Sequence, residues 1–107
     1  MVYSLEQIRG IITPIAEKYG IPAVYLFGSY ARGNAGEESD IDFLLDTTGV
    51  NLRGFAWGGL YNDFADAFEK PVDLVTLDAI KQQPRMPSEQ HFKENVMSER
   101  RVIYAVS

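Results

Sequence analysis

From Asp40 to Asp46 the chain reads Asp-Ile-Asp-Phe-Leu-Leu-Asp, with Ile41, Phe43 and Leu45 at every second position and Asp40, Asp42 and Leu44 between them. A period of two belongs to a strand with one face turned to a core. Three other runs read as strands: residues 23–28 ending in Gly28, residues 72–76 restarting after Pro71, and residues 101–106. The segments between them repeat at helical spacing. Ser4-Leu5-Glu6-Gln7 has the form of a capping box, and Leu5, Ile8, Ile11, Ile12 and Ile15 then mark an amphipathic helix over residues 4–19, stopped by Gly20. Pro14 is expected to kink it, because it cannot donate to the carbonyl of Gly10. Residues 51–69 read as a second helix, in which Gly58-Gly59 marks a break or a close packing point. Residues 88–98 read as a third helix, and Pro84 and Pro87 predict an irregular stretch over 79–88. Helix, strand, loop, strand, helix, strand, helix, strand is an α/β order, a small sheet flanked by helices.

One domain is expected over residues 1–107, since a chain of 107 residues with 46% apolar side chains can bury one core. Cysteine is absent, which removes disulfides and thiolate metal sites and fits a reducing compartment. The first residues lack the basic and apolar blocks of a signal peptide, and no apolar run reaches the roughly 18 residues that span a bilayer. A soluble, cytoplasmic protein with no membrane partner is the expectation. The net charge is −5 and the densest basic cluster is Arg100-Arg101. A protein that grips long nucleic acid carries a basic stripe, so direct binding of that kind is not expected. An acidic balance suits a cation site or a basic partner.

Candidate chemistry starts at Asp40 and Asp42. On a strand, residues i and i+2 share a face, and two carboxylates so placed repel each other unless a cation lies between them. Oxygen-only ligands suit Mg²⁺ together with substrate phosphates. Taken alone, the pair reads more readily as a solvated strand end. Gly28-Ser29 adds a strand end where backbone N–H groups and a hydroxyl can meet an anion. Arg32, in the following turn, either faces a phosphate or braces the loop. There is no Gly-Lys-Ser/Thr phosphate loop and no G-x-G-x-x-G spacing. An EF-hand is excluded, because Asp40-Ile41-Asp42 runs into Phe43-Leu44-Leu45 where polar ligands and a central glycine would be needed.

Gly28-Ser29, ten residues, then Asp40-Ile41-Asp42 resembles the signature of the DNA-polymerase-β-like nucleotidyltransferases. More closely, the chain is similar to the minimal nucleotidyltransferases that act as antitoxins beside a HEPN-domain ribonuclease toxin. Val24 to Gly33, Ser39 to Leu44, Gly59-Leu60-Tyr61, Lys70 to Val75 and Glu99 to Tyr104 carry that similarity. The resemblance implies a nucleotidyltransferase fold and a third carboxylate, Asp73. A charge at Asp73, opening an apolar strand, would be costly unless paired or metal-bound, the alternative being an Asp at an exposed strand start. It also implies two Mg²⁺ ions held by Asp40, Asp42 and Asp73, and ATP as substrate, with its phosphates on Gly28, Ser29 and Arg32. The implied activity is transfer of AMP to a hydroxyl, a tyrosine, on the partner toxin. A non-catalytic antitoxin acting by occlusion and a small-molecule nucleotidyltransferase stand as alternatives; the latter class usually carries a further helical domain.

Other residues receive structural readings. His91 reads as a surface helix position, Phe55, Trp57 and Phe64 as core, Tyr25, Tyr61 and Tyr104 as packing residues, and Glu37-Glu38 as solvated.

Overall fold

The computed structural model describes residues 2–82 and 85–106. Among the described residues nine elements follow one another: α1 Leu5–Tyr19, β1 Ala23–Phe27, α2 Gly28–Arg32, β2 Ile41–Asp46, α3 Phe55–Ala67, β3 Val72–Thr76, α4 Leu77–Lys81, α5 Pro87–Glu99 and β4 Arg101–Ala105. The four strands form one mixed sheet in the order β3-β2-β1-β4. β1 runs antiparallel to β2 and β4, and β2 runs parallel to β3. Parallel neighbours need a crossover, and α3 supplies it.

The two faces of the sheet bury separate clusters. Ile41, Phe43 and Leu45 of β2 join Val24 and Leu26 of β1 beneath α1 and α3, which contribute Ile8, Ile12, Leu60 and Phe64. Phe43 meets Phe64 edge to face at 5.0 Å. The opposite face holds a smaller cluster, in which Phe27 and Leu44 of the sheet meet Ile80 of α4 and Val96 of α5. Among the described residues no polar or charged side chain is buried.

Helix α1 starts as its sequence predicts. Ser4 Oγ accepts from the Gln7 N–H at 3.1 Å, and Gln7 Oε1 accepts from the Ser4 N–H at 2.8 Å. The helix runs on through Pro14, which faces solvent, so the proline does not end it. Helix α3 is shorter than the residue pattern suggests. Gly54, at φ 56, sits at its N-cap, and Leu52 packs against the core from the preceding loop. Phe55, expected in the core, is fully exposed in the first turn of α3. Tyr61 also faces solvent rather than packing.

Two short helices were not legible as periodic segments. α2 follows β1 directly, and α4 occupies Leu77–Lys81, running into the first residues of the stretch expected to be irregular over 79–88. Thr76 caps α4, its Oγ1 accepting from the Ala79 N–H at 3.1 Å. Pro87 opens α5 in its first turn, where a missing N–H costs nothing. Pro84 lies outside the described residues.

The Gly58-Gly59 pair is a packing point, not a break. A Cβ on Gly59 would sit 3.0 Å from the Tyr19 hydroxyl, which donates to Asp63 Oδ2 at 2.8 Å. Gly58 faces open solvent. Gly58→Ala should therefore raise stability by about 0.4–1 kcal/mol, by restricting the unfolded chain. Gly59→Val should lower it by about 1–3 kcal/mol, by overpacking against Tyr19. Thermal denaturation of the two variants checks the opposite signs.

Candidate active site

The end of β1 and the starts of β2 and β3 lie side by side, and that juxtaposition builds the site. Phe27, the last residue of β1, pairs with Asp42 across the antiparallel ladder, and Asp42 pairs with Asp73 across the parallel one. Asp42 and Asp73 therefore stand opposite each other on adjoining strands, on the sheet face that carries Leu44 and Val75. Asp40 lies just before the strand, near enough to act on the Asp42 carboxyl. The structure thus brings all three expected carboxylates to one corner of the sheet.

Their environments differ. Asp42 is half-buried, whereas Asp40 and Asp73 are exposed. Asp73 is therefore not placed by the cost of a buried charge, as its apolar neighbours suggest; its register with Asp42 sets its position. Burial, followed by repulsion from Asp73 and then from Asp40, pushes the Asp42 carboxyl up to about 6, against a lowering influence from Arg32. That is what two neighbouring anions do to a partly desolvated third.

Gly28 adopts φ +71, a region that favours glycine. It also has no room for a side chain, because a Cβ there would collide with Asp42 Oδ2. Glycine is thus required twice, for its backbone and for the space it leaves to the carboxylate. Ser29 is partly exposed in the first turn of α2, and no described side chain caps that helix at Phe27. Arg32 does not point freely at the site. Its Nη1 donates to Glu99 Oε2 of α5 at 3.0 Å, which makes it a brace between α2 and α5.

Lys70 is a contributor that the pattern of residues did not single out. Its Nζ donates to the Tyr30 hydroxyl at 2.9 Å and to the Gly36 carbonyl at 3.2 Å. The same hydroxyl accepts a long bond from the Tyr3 N–H at 3.4 Å. Ser39 Oγ accepts from the Gly36 N–H at 2.9 Å. This clasp fastens the loop between α2 and β2, and hence the approach to Asp40. His91 is exposed on α5, as its polar neighbours suggest.

The donor set fits a hard divalent cation. The three groups are carboxylates, none accepts a hydrogen bond from a described residue, and the uncovered backbone of Gly28 adjoins one of them. As they stand, no three acidic or imidazole side chains among the described residues are gathered closely enough to enclose an ion.

The chain matches the family model described as "Polymerase beta, Nucleotidyltransferase" over residues 11–107, and belongs to that family. It is a nucleotidyltransferase by that membership. A Methanocaldococcus jannaschii protein, provisionally named a protein adenylyltransferase, is 37% identical over 85 residues, covering 72% of this chain and 82% of the relative. A Thermococcus cleftensis relative, the protein adenylyltransferase MntA, is 43% identical over 47 residues, covering 40% of this chain and 48% of its own. A crystal structure of a toxin–antitoxin with AMP-PNP shares the fold, with TM-score 0.67 and 22% identity over 92% of this chain and 74% of that one. A mutant of the toxin–antitoxin MntA-HpeT does so with TM-score 0.64 and 23% identity, covering 92% and 72%. Among the described residues no helix is long and apolar enough to cross a membrane.

Two outcomes follow from the geometry. A carboxyl whose folded-state pKa lies above its unfolded value costs stability above the folded pKa, and the cost fades as the pH falls towards the unfolded value. For Asp42 the window runs from about 6 down to the ordinary 3.8. Asp42→Asn should therefore stabilise the metal-free protein at pH 8 by about 1–2 kcal/mol once solvent screening is allowed for, and by nothing at pH 3.5. Denaturation in a chelator at both pH values checks this; an equal gain at both would assign the effect to packing. Gly28→Ala should cost about 1–3 kcal/mol through strain at a positive φ and displace the Asp42 carboxylate. Thermal denaturation reads the first effect and a Mg²⁺ titration the second.

Proposed function

We propose that residues 1–107 act as one domain that transfers AMP from ATP to a hydroxyl of a partner protein in a Mg²⁺-dependent reaction. The partner is a HEPN-class ribonuclease toxin, the acceptor is a tyrosine, and the modification silences the toxin. The observation that carries this reading is the corner where Gly28, without room for a side chain, adjoins Asp42, with Asp73 in register beside it. The relatives named protein adenylyltransferases and the toxin–antitoxin fold with AMP-PNP support it.

In this reading the acceptor oxygen attacks the α-phosphorus of ATP. A new O–P bond forms, the bond from that phosphorus to the bridging oxygen of the β-phosphate breaks, and pyrophosphate leaves. Asp40, Asp42 and Asp73 would hold two Mg²⁺ ions, which supply neutralisation of the triphosphate and of the charge on the attacking and leaving oxygens. The Gly28 backbone and the Ser29 hydroxyl bind the outer phosphates, at the end of β1. Asp73, on the edge strand and open to solvent, orients the acceptor hydroxyl and takes its proton. Its exposure suits a hydroxyl brought by another molecule. Arg32, braced by Glu99, adds positive charge near the triphosphate.

The reaction is tested by incubating the protein with Mg²⁺, its partner, and ATP labelled at either the α or the γ position. Label should reach the partner from the α position alone, and Asp73→Asn should slow that transfer by about 100-fold or more. Label from the γ position would identify phosphoryl transfer instead. Neutralisation by the Asp40→Asn/Asp42→Asn variant, with no label transferred, would identify occlusion.

A further inference from the structure

Strand register places two of the three carboxylates and leaves the third unaccounted for. Asp42 and Asp73 are partners in the β2–β3 ladder, whereas Asp40 precedes Ile41, the first residue of β2, and enters neither ladder of that strand. Its side chain is exposed, so packing does not fix it either. Whatever sets Asp40 in place must act on the backbone to either side of it. We propose that Lys70 is the positioning residue for Asp40, holding it against Asp73 in the arrangement that a divalent cation requires. The inference rests on the reading of Asp40, Asp42 and Asp73 as cation ligands.

Lys70 and Pro71 grip the chain on both sides of Asp40. After it, the Ile41 N–H donates to the Pro71 carbonyl at 3.1 Å. Before it, the Ser39 N–H donates to the Gly36 carbonyl at 3.1 Å, and the Gly36 N–H donates to Ser39 Oγ at 2.9 Å. That same Gly36 carbonyl accepts from Lys70 Nζ at 3.2 Å. A closed ring thus runs from Lys70 through Gly36, Ser39, Asp40 and Ile41 to Pro71, and Asp73 stands just beyond it on β3. Without the ammonium the ring opens, and Asp40 is tied to β3 from one side alone.

The anchor of the ring is stiff. Pro71 restricts Lys70 to extended backbone. The preceding Glu69 N–H donates to the Tyr3 hydroxyl at 3.0 Å. The second bond of Nζ goes to the hydroxyl of Tyr30 at 2.9 Å, and Tyr30 is buried. Both oxygens that the ammonium meets are uncharged, a phenol and a peptide carbonyl. Bonds from a charged donor are the stronger kind, and here they are committed to geometry rather than to neutralising a carboxylate.

The test is a titration of the nucleotide-free protein with Mn²⁺, the bound ion followed by electron paramagnetic resonance. Lys70→Met removes the charge and the donors while keeping most of the side chain's length. Loss of a nearby positive charge by itself tightens cation binding, so a positioning role predicts the opposite sign. Mn²⁺ affinity should fall by about tenfold, and the amides of residues 36–41 should exchange faster with solvent. In an Asp40→Asn background the same substitution should change the affinity by less than about twofold, because the residue through which Lys70 acts is gone. Ser39→Ala, which removes the acceptor of the Gly36 N–H, should weaken Mn²⁺ in the same direction and replaces Lys70→Met if that variant does not fold. Unchanged or tighter binding in the folded variant overturns the proposal, and so does a tenfold loss that persists beside Asp40→Asn. An unaltered protein that binds no Mn²⁺, or whose affinity Asp40→Asn leaves unchanged, would instead overturn the reading of Asp40 as a cation ligand, and the role of Lys70 with it.

Discussion

The parallel pairing of β2 with β3 is the constraint on which the rest depends. It requires a crossover through α3, and it places Asp42 beside Asp73 in the same register that sends Phe43 and Leu74 to the large cluster. A slip of one residue would turn the core side chains outward and separate the carboxylates together. Correct folding of the core and correct assembly of the charged corner are thus one event. Burial, with repulsion from Asp73 and Asp40, holds the Asp42 carboxyl above the ordinary carboxylate range, and a bound cation would offset both.

Legibility in the sequence followed the range of the interactions. The alternation of Asp40 to Leu45 exposed β2 and its two faces directly, because period-two patterning is local. The spacing between Gly28-Ser29 and Asp40-Ile41-Asp42 marks the candidate site in the sequence itself, and the strand pairing sets Phe27, next to Gly28, against Asp42. Helices α2 and α4, at five residues each, are too short to show a period of 3.6. Phe55 misled because an apolar residue is read as core wherever the helical stripe allows, and here Gly54 starts the helix with that position facing outward. Asp73 was found through its resemblance to a known pattern. The accompanying expectation of a costly buried charge does not hold on an exposed edge strand.

The supports of the site were hidden for a different reason. Lys70 reaches Tyr30 across 40 positions of sequence, and Arg32 reaches Glu99 across 67. Nothing local to any of these residues announces its partner. Arg32 illustrates the consequence: either facing a phosphate or bracing the loop was compatible with its position, and in the fold it braces, while its charge still bears on Asp42.

The unequal clusters on the two faces of the sheet divide the labour of the molecule. The larger one, under α1 and α3, holds the strands in register, whereas α4 and α5 rest on a smaller one built around Phe27, Leu44, Ile80 and Val96. Local opening follows the amount of buried apolar contact, so α4 and α5 will lift from the sheet at a lower free energy than the global fold requires. The face that carries the carboxylates is thus the more lightly packed of the two, and a truncation under α4 or α5 removes a larger share of its apolar contact than the same truncation under α1 or α3 removes from the other.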